Sequence, residues 1–374
     1  MTRRSSGSAA AQAPAERLVS LDFMRGLIMV FLMLESAELY ARLLELEGTP
    51  FYAIALQFHH HPWHGLRFWD LIQPGFMFIA GTAMALSLHR QGAKGVSWMD
   101  SLHKALKRSG WLFFWGVLDY AVRPQGLSFE LWDVLTQLSF TLLVAFLVFR
   151  WPAWWQIGTS VGLLVLTEVL YRMTGIPGFD QPFTDQHNFG NYVDALLMAT
   201  TNPDGWVAVN CLPTAAHTIM GAVAGKVLLS SRSGQEKVRW LAAAGVVALI
   251  AGYGLDATVT PIIKRIATSS FVIVSGGYCL LGLAASYWAI DIKKRRPLIT
   301  FFTVVGMNSL FIYLFFEIVG HRWFTGYVGA ITDGLMAAAG VPSAVMGIVT
   351  ALVVFALEWK LCHFLYRKGI FFKV

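Results

Sequence analysis

Apolar stretches about as long as a bilayer is thick recur along nearly the whole chain, separated by short polar connections. A helix needs roughly 20 mostly apolar residues to cross the hydrocarbon core. The pattern therefore predicts helices near 19–41, 68–89, 106–123, 131–150, 153–172, 206–229, 238–256, 266–290, 298–320 and 343–366. The expected fold class is all-α: a polytopic transmembrane helical bundle of about ten spans, occupying residues 17–374 as one domain. Residues 1–16 are small, polar and basic, which predicts a disordered cytoplasmic tail. They lack the apolar core of a cleavable signal peptide. No internal repeat of the kind that builds many transporters is visible.

Composition narrows the class. The 374 residues are 56% hydrophobic and 14% charged, with a mean hydropathy of +0.56, far from an ordinary water-soluble domain. The net charge of +7 does not point to nucleic acid, because the basic residues are dispersed between apolar segments instead of forming one patch. Threading the chain from a cytoplasmic start leaves 20 of the 29 Lys and Arg residues on the starting side and seven on the other. That asymmetry predicts both ends in the cytoplasm. Cys211, Cys279 and Cys362 all fall in predicted spans, without the spacing of a disulfide pair or a zinc site.

Ionisable residues inside spans are costly in hydrocarbon, so each is a candidate for function. Asp22 and Arg25 share one face of the first helix at i and i+3, either acting together or neutralising each other as a structural pair. Glu35 and Glu38 repeat that spacing near the helix's other end. The densest signal is QFHHHPWHGLRFWD, where His59, His60, His61 and His64 surround Pro62-Trp63 and Asp70 follows at the head of helix two. A histidine titrating near 6.5 works as a general base or nucleophile when a carboxylate orients its ring. The same cluster can bind a metal or pack at the interface, although no ligand pattern such as HExxH accompanies it.

Other polar groups lie deeper in the pattern. His217 follows Pro213 in the sixth helix, where a kink opens a polar cavity or the ring bonds between helices. Gly221 and Gly225 have the GxxxG spacing of helix packing. Asn308, Ser309, Tyr313 and Glu317 recur at helical spacing and predict a face turned into the bundle. Lys264 and Arg265 form a basic pair on the side otherwise poor in such residues, either functional or snorkelling. Residues 173–205 contain no Lys or Arg but carry Asp180, Asp185, Asp194 and Asp204. That long connection suits a polar or cationic substrate, or a solvated lid.

Taken in order, RLVSLDFMRGL, HHPWHGLRFWDLIQPGFMFIAGTAM, LPTAAHTIMGAVAGK, GMNSLFIY and FLYRKGIFFKV resemble the heparan-alpha-glucosaminide N-acetyltransferase family and its bacterial relatives over most of residues 17–374. The resemblance implies transfer of an acetyl group from cytoplasmic acetyl-CoA, the acyl donor, to an amine or hydroxyl of an extracytoplasmic sugar or glycan acceptor. It further implies a bacterial inner membrane location, a possible homodimer and no metal. His60, two residues before Pro-Trp, matches the family's essential histidine, and Asp70 matches the aspartate at the head of helix two. Ser20, Asp22, Arg25 and Gly26 match its SxDxxRG element. The chain departs from the animal members in carrying Glu35-Ser36 where they have an asparagine close to the histidine loop.

On that resemblance, transfer runs either directly with His60 as general base or through an acetyl-histidine. Asn308 is the expected oxyanion donor. Arg25, Lys104, Lys107, Arg108, Lys264, Arg265 and Arg295, the last within the Lys293 to Arg296 run, are candidates for the CoA phosphates; the loop cations among them are otherwise topology signals. The alternative from another class is a transporter or flippase for a polar or glycan-linked solute. In that case the buried polar residues line a solute path and His60 gates it.

Overall fold

The computed structural model describes residues 18–123, 127–296 and 298–372, so the tail expected at 1–16 lies outside the described residues. Among those described, the chain is helical throughout and has no β-strand. The long helices are α1 (Val19–Ser36), α2 (Phe68–Ala93), α3 (Trp98–Ala121), α4 (Val134–Val148), α5 (Ala153–Met173), α6 (Ala208–Leu229), α7 (Gly234–Thr258), α8 (Ser269–Ile292), α9 (Ile299–Gly306), α10 (Ser309–Ala338) and α11 (Ser343–Arg367). Each predicted segment overlaps one of these helices, and the ninth holds α9 with the start of α10.

Six of them, α2, α5, α6, α7, α8 and α11, are long and apolar enough to cross a bilayer alone. The pair α9 and α10, bent by 72°, adds a seventh if taken as one span. The remaining helices fall short for visible reasons. α1 carries Asp22, Arg25 and Glu35; α3 carries Asp100, Lys104, Lys107, Arg108 and Asp119; and α4 has only 15 residues.

Two boundaries differ most from expectation. α3 begins at Trp98, well before 106, because Ser97 caps it, its Oγ accepting from Asp100 N at 3.1 Å. Lys104, Lys107 and Arg108 therefore stand on a helix and not in a connection. α9 stops where Asn308 leaves helical geometry, with φ −118° and ψ 33°, and the chain resumes as α10 to Ala338, far beyond 320.

In the packing, α2 lies against α6, α7 against α8, α3 against α4 and α1 against α9. A Cβ on Gly221 would stand 1.9 Å from Phe78 O, and one on Gly225 would stand 2.6 Å from the Ala85 side chain. The GxxxG spacing thus lets α6 and α2 cross closely within one chain. His217, on the same helix, is buried with Nε2 2.8 Å from Ser275 Oγ on α8, an interhelical bond. Met29, Met33, Met77, Leu138, Phe146 and Phe316 form the heart of the main core. Only 22% and 17% of the apolar windows of α5 and α7 are buried, against 67% in α6 and α8, so α5 and α7 form the apolar rim.

Candidate active site

The site begins where α1 ends. Glu38 adopts left-handed geometry (φ 66°), and the chain passes through short helices Leu39–Leu44 and Pro50–Leu56 into the histidine loop. It enters α2 through one tight turn, Phe68–Leu71, in which Asp70 is the third residue and Arg67 the cap. Asp70 Oδ2 accepts from Arg67 N at 2.8 Å and from His61 N at 3.3 Å, leaving Oδ1 2.9 Å from His60 Nδ1. Arg67 Nη1 also donates to His60 O at 2.8 Å. Asp70 is wholly buried, and both its oxygens are committed, so the ring of His60 is held by a carboxylate that cannot swing away. The sequence-based pairing of His60 and Asp70 is present as a contact.

The loop is then stitched to the connection between α7 and α8. Gly65 N donates to Ile262 O at 2.9 Å, and His64 pairs with Ile263 in an isolated antiparallel bridge. His64 Nε2 lies 2.8 Å from Asp256 Oδ1, which also accepts from Ile262 N at 2.7 Å. This stitch carries Lys264 over the histidine. Its Nζ is 3.0 Å from His60 Nδ1, 3.5 Å from His60 Nε2 and 4.0 Å from Asp70 Oδ1. Trp206 closes the other side, edge to face with His60 at 5.2 Å between ring centres, and 5.1 Å below the Lys264 ammonium.

Burial, aided by the nearby Lys264 charge, pushes the His60 pKa down to about 4 against the opposing pull of Asp70. Burial likewise pushes Lys264 down to about 8, with Asp70 again opposing. A neutral imidazole is the form that can accept a proton or attack an acyl carbon.

His60, Lys264 and Trp206 line a cavity of about 230 Å³, together with Glu35, Gln73, Gln137, Tyr313 and Glu317. Phe76 and Tyr313 are shared with a second cavity of about 470 Å³, which reaches Arg25 and Arg108. Ser87, Arg108 and Phe372 are shared in turn with a third of about 690 Å³, lined by Lys104 and Lys107 at the end where α2 passes into α3. Three adjoining cavities thus run from a basic mouth at one end of the bundle to His60 at the other.

The other sequence candidates fall in different places. Arg25 pairs with Asp22 at 3.6 Å and lines the middle cavity. Arg295 is exposed and lines none of the three. Lys264 and Arg265, expected at the CoA phosphates, lie instead at the histidine end: Arg265 Nη1 donates to Asp204 O, and its cation is 4.8 Å from the Trp206 ring. Asn308 is not brought to His60 either. Its Nδ2 donates to Ile370 O and its Oδ1 accepts from Phe372 N, both at 3.0 Å, so the amide clamps the C-terminal segment beside the cavities.

Of the four aspartates in 173–205, Asp194 is buried and structural, accepting from Trp132 Nε1 at 2.8 Å and Ala208 N at 2.9 Å. The others are exposed. Among the described residues no group of three or more His, Cys, Asp or Glu side chains is placed to hold a metal. Trp206, Gln73 and Gln137 were not singled out from sequence. Gln73 Nε2 donates to Gln137 Oε1 at 2.8 Å, and the signal was an amide set among apolar residues in each of two helices.

Fold and site together define a polytopic helical membrane protein with a carboxylate-held histidine at the head of an internal passage. The family described as heparan-alpha-glucosaminide N-acetyltransferase, catalytic, matches residues 17–260, and the chain belongs to that family. It is similar to the heparan-alpha-glucosaminide N-acetyltransferase of Mus musculus, 24% identical over 442 residues covering 100% of this chain and 62% of the relative. It is also similar to that of Homo sapiens, 24% identical over 389 residues covering 85% of this chain and 56% of the relative. The chain therefore spans about three fifths of the length of the curated relatives it matches. The family match includes His60 and Asp70 and stops just short of Lys264.

Proposed function

We propose that this chain is a transmembrane acetyltransferase that takes acetyl groups from cytoplasmic acetyl-CoA and delivers them to an amine or hydroxyl of an extracytoplasmic sugar or glycan. The reading includes about ten crossings of a bacterial inner membrane, with both ends in the cytoplasm. The basic mouth at Lys104, Lys107 and Arg108 would then face the cytoplasm and the histidine loop the far side.

The observation that carries this is the line of adjoining cavities between that mouth and His60. CoA is a polyanion with a long, narrow, largely neutral arm ending in the thioester. Cations at the larger end fit its phosphates, and the smaller middle cavity, which continues toward His60, fits the arm. His60, neutral at physiological pH and held through Nδ1, would take the acceptor's proton on Nε2 as the new bond to the acetyl carbon forms. The carbon–sulfur bond breaks, and the CoA thiolate leaves with the proton returned by the imidazolium.

The test is to incubate the detergent-solubilised protein with [14C]acetyl-CoA and two probe acceptors, glucosamine for the amine and methyl glucoside for the hydroxyl. The expected result is saturable acetyl-CoA binding, release of free CoA and label on one of the probes. An absence of acetyl-CoA binding under varied conditions would sink the reading in favour of a transporter.

A further inference from the structure

An attacked thioester places negative charge on its carbonyl oxygen, and Asn308, taken up by the C-terminal segment, is not there to receive it. Two donors that line the His60 cavity are committed as well. Tyr313 gives its only hydroxyl hydrogen to Asp133 Oδ2, and Trp132 gives its indole hydrogen to Asp194 Oδ2, both at 2.8 Å. The Lys264 ammonium lies over the face of the His60 ring, 3.0 Å from Nδ1 and 3.5 Å from Nε2. Gln73 differs from all three.

A chain of hydrogen bonds fixes how the Gln73 amide is turned. Gln137 is 2% exposed, and its Nε2 donates to Trp132 O at 3.3 Å. A backbone carbonyl only accepts, so the nitrogen of Gln137 must face it and the oxygen must face away. That oxygen stands 2.8 Å from the Gln73 amide, which must therefore meet it with Nε2. An amide nitrogen carries two hydrogens. One goes to Gln137, and the second has no partner among the described residues, on a side chain that lines the same cavity as His60.

We propose that Gln73 is a catalytic residue whose second Nε2 hydrogen receives the oxyanion formed on the acetyl carbonyl, with Gln137 as the positioning residue behind it. The proposal rests on the acetyltransferase reading. Asp70, Gln73 and Phe76 follow one another at three-residue steps along one side of α2, each roughly 5 Å further along the axis. Asp70 holds the His60 ring, and Phe76 lines both the His60 cavity and the middle cavity. A thioester arriving past Phe76 thus reaches Gln73 and His60 together, in a space of about 230 Å³ that keeps a carbonyl near every wall. As the acceptor's nitrogen or oxygen bonds to the acetyl carbon, the π pair moves onto the carbonyl oxygen, where the Gln73 N–H meets it, and His60 Nε2 takes the acceptor's proton. Collapse of the oxyanion breaks the carbon–sulfur bond, and the CoA sulfur takes that proton from the imidazolium.

The experiment compares the detergent-solubilised parent with Gln73→Met, which keeps the length of the side chain and removes its N–H groups. Turnover is read as acetyl transfer to the two probe acceptors and, without acceptor, as hydrolysis of acetyl-CoA, which forms an oxyanion at the same carbonyl. In Gln73→Met kcat should fall by about 10²–10³ in both reactions, while the Kd for acetyl-CoA and the melting temperature stay near the parental values. Gln73→Leu, a second variant without a donor, should lose as much. Gln73→Asn, which keeps an N–H on a shorter arm, should recover part of the rate, and Gln137→Met should lose less than Gln73→Met. A kcat within a few-fold of the parent in both variants without a donor overturns the proposal. So does a loss that shows only in Kd or melting, or one carried by Tyr120→Phe in place of Gln73→Met. A parent that hydrolyses acetyl-CoA but labels neither probe defeats the acceptor named in the functional reading, while the hydrolysis rates still decide the role of Gln73. A parent that neither binds nor turns over acetyl-CoA defeats both.

Discussion

His64 and Ile263 form an isolated antiparallel bridge between two connections that are remote in the chain, and the contact brings Lys264 to His60. Gly65 is the pivot of that bridge. Its φ of +143° is open to glycine and strained for other residues, and a Cβ there would stand 2.6 Å from His61 Nε2. Gly65→Ala should lower stability by roughly 1–3 kcal/mol and reduce acetyl transfer further than the stability loss alone explains. Thermal unfolding and turnover measured on the same preparation would reveal this. An unperturbed variant would show that the bridge does not hold the site.

Removing the base tests the chemistry directly. His60→Ala should fold, bind acetyl-CoA and lose about 10²–10⁴ in turnover, the usual scale for a positioned general base. Asp70→Asn should also be severely impaired, because an amide has a single accepting oxygen, whereas Asp70 uses one oxygen for Arg67 N and His61 N and presents the other to the His60 ring. Near-parental transfer by purified His60→Ala would show the assignment of the histidine to be mistaken.

At the opposite end, Arg108 lines both the basic mouth and the middle cavity. Arg108→Gln should weaken acetyl-CoA binding by about tenfold or more, the loss of one charge-assisted contact. The rate at saturation should change little. The parental affinity should itself fall with added salt, and isothermal titration with and without salt would measure both effects. An unaltered affinity would mean that Arg108 serves the helix and not the ligand.

Asn308 makes a different demand. Because its amide holds Ile370 and Phe372, and Phe372 lines the basic mouth and the middle cavity, Asn308→Ala should raise the KM for acetyl-CoA while leaving kcat within a few-fold. An oxyanion donor would behave in the opposite way, with a loss of about 10²–10³ in kcat. Steady-state kinetics on the one variant separate the two roles.

Stability should depend on acid through His60. Its pKa is about 4 in the folded protein and near 6.5 when unfolded, so the unfolded chain binds the proton first. The stabilising contribution is therefore complete above 6.5, declines as pH falls, and is exhausted once the folded form also protonates near 4. Melting temperatures in detergent should fall over that window, and His60→Gln should flatten the decline. Parallel curves for the two proteins would contradict the assignment.

The apolar segments were legible in the sequence because spanning a bilayer needs only length and hydrophobicity, which are local properties. The His60–Asp70 pair was legible too, since ten residues joined by one tight turn leave the two side chains close together. The break at Asn308 was missed because an apolar run continues through it; what bends the chain is an amide occupied by the C-terminal segment. The early start of α3 turned on the Ser97 cap, a single hydrogen bond.

Lys264 was visible only as a cation on the wrong side of a charge count. Its partner lies 204 positions away, and periodicity carries no information about which connections meet. Sequence by itself thus determined a helical membrane bundle and one catalytic candidate pair. Tertiary structure alone decided that a lysine lies over that histidine, and that the space between packed helices runs from the basic mouth to the ring. Both depend on how helices that are each satisfied locally are set against one another.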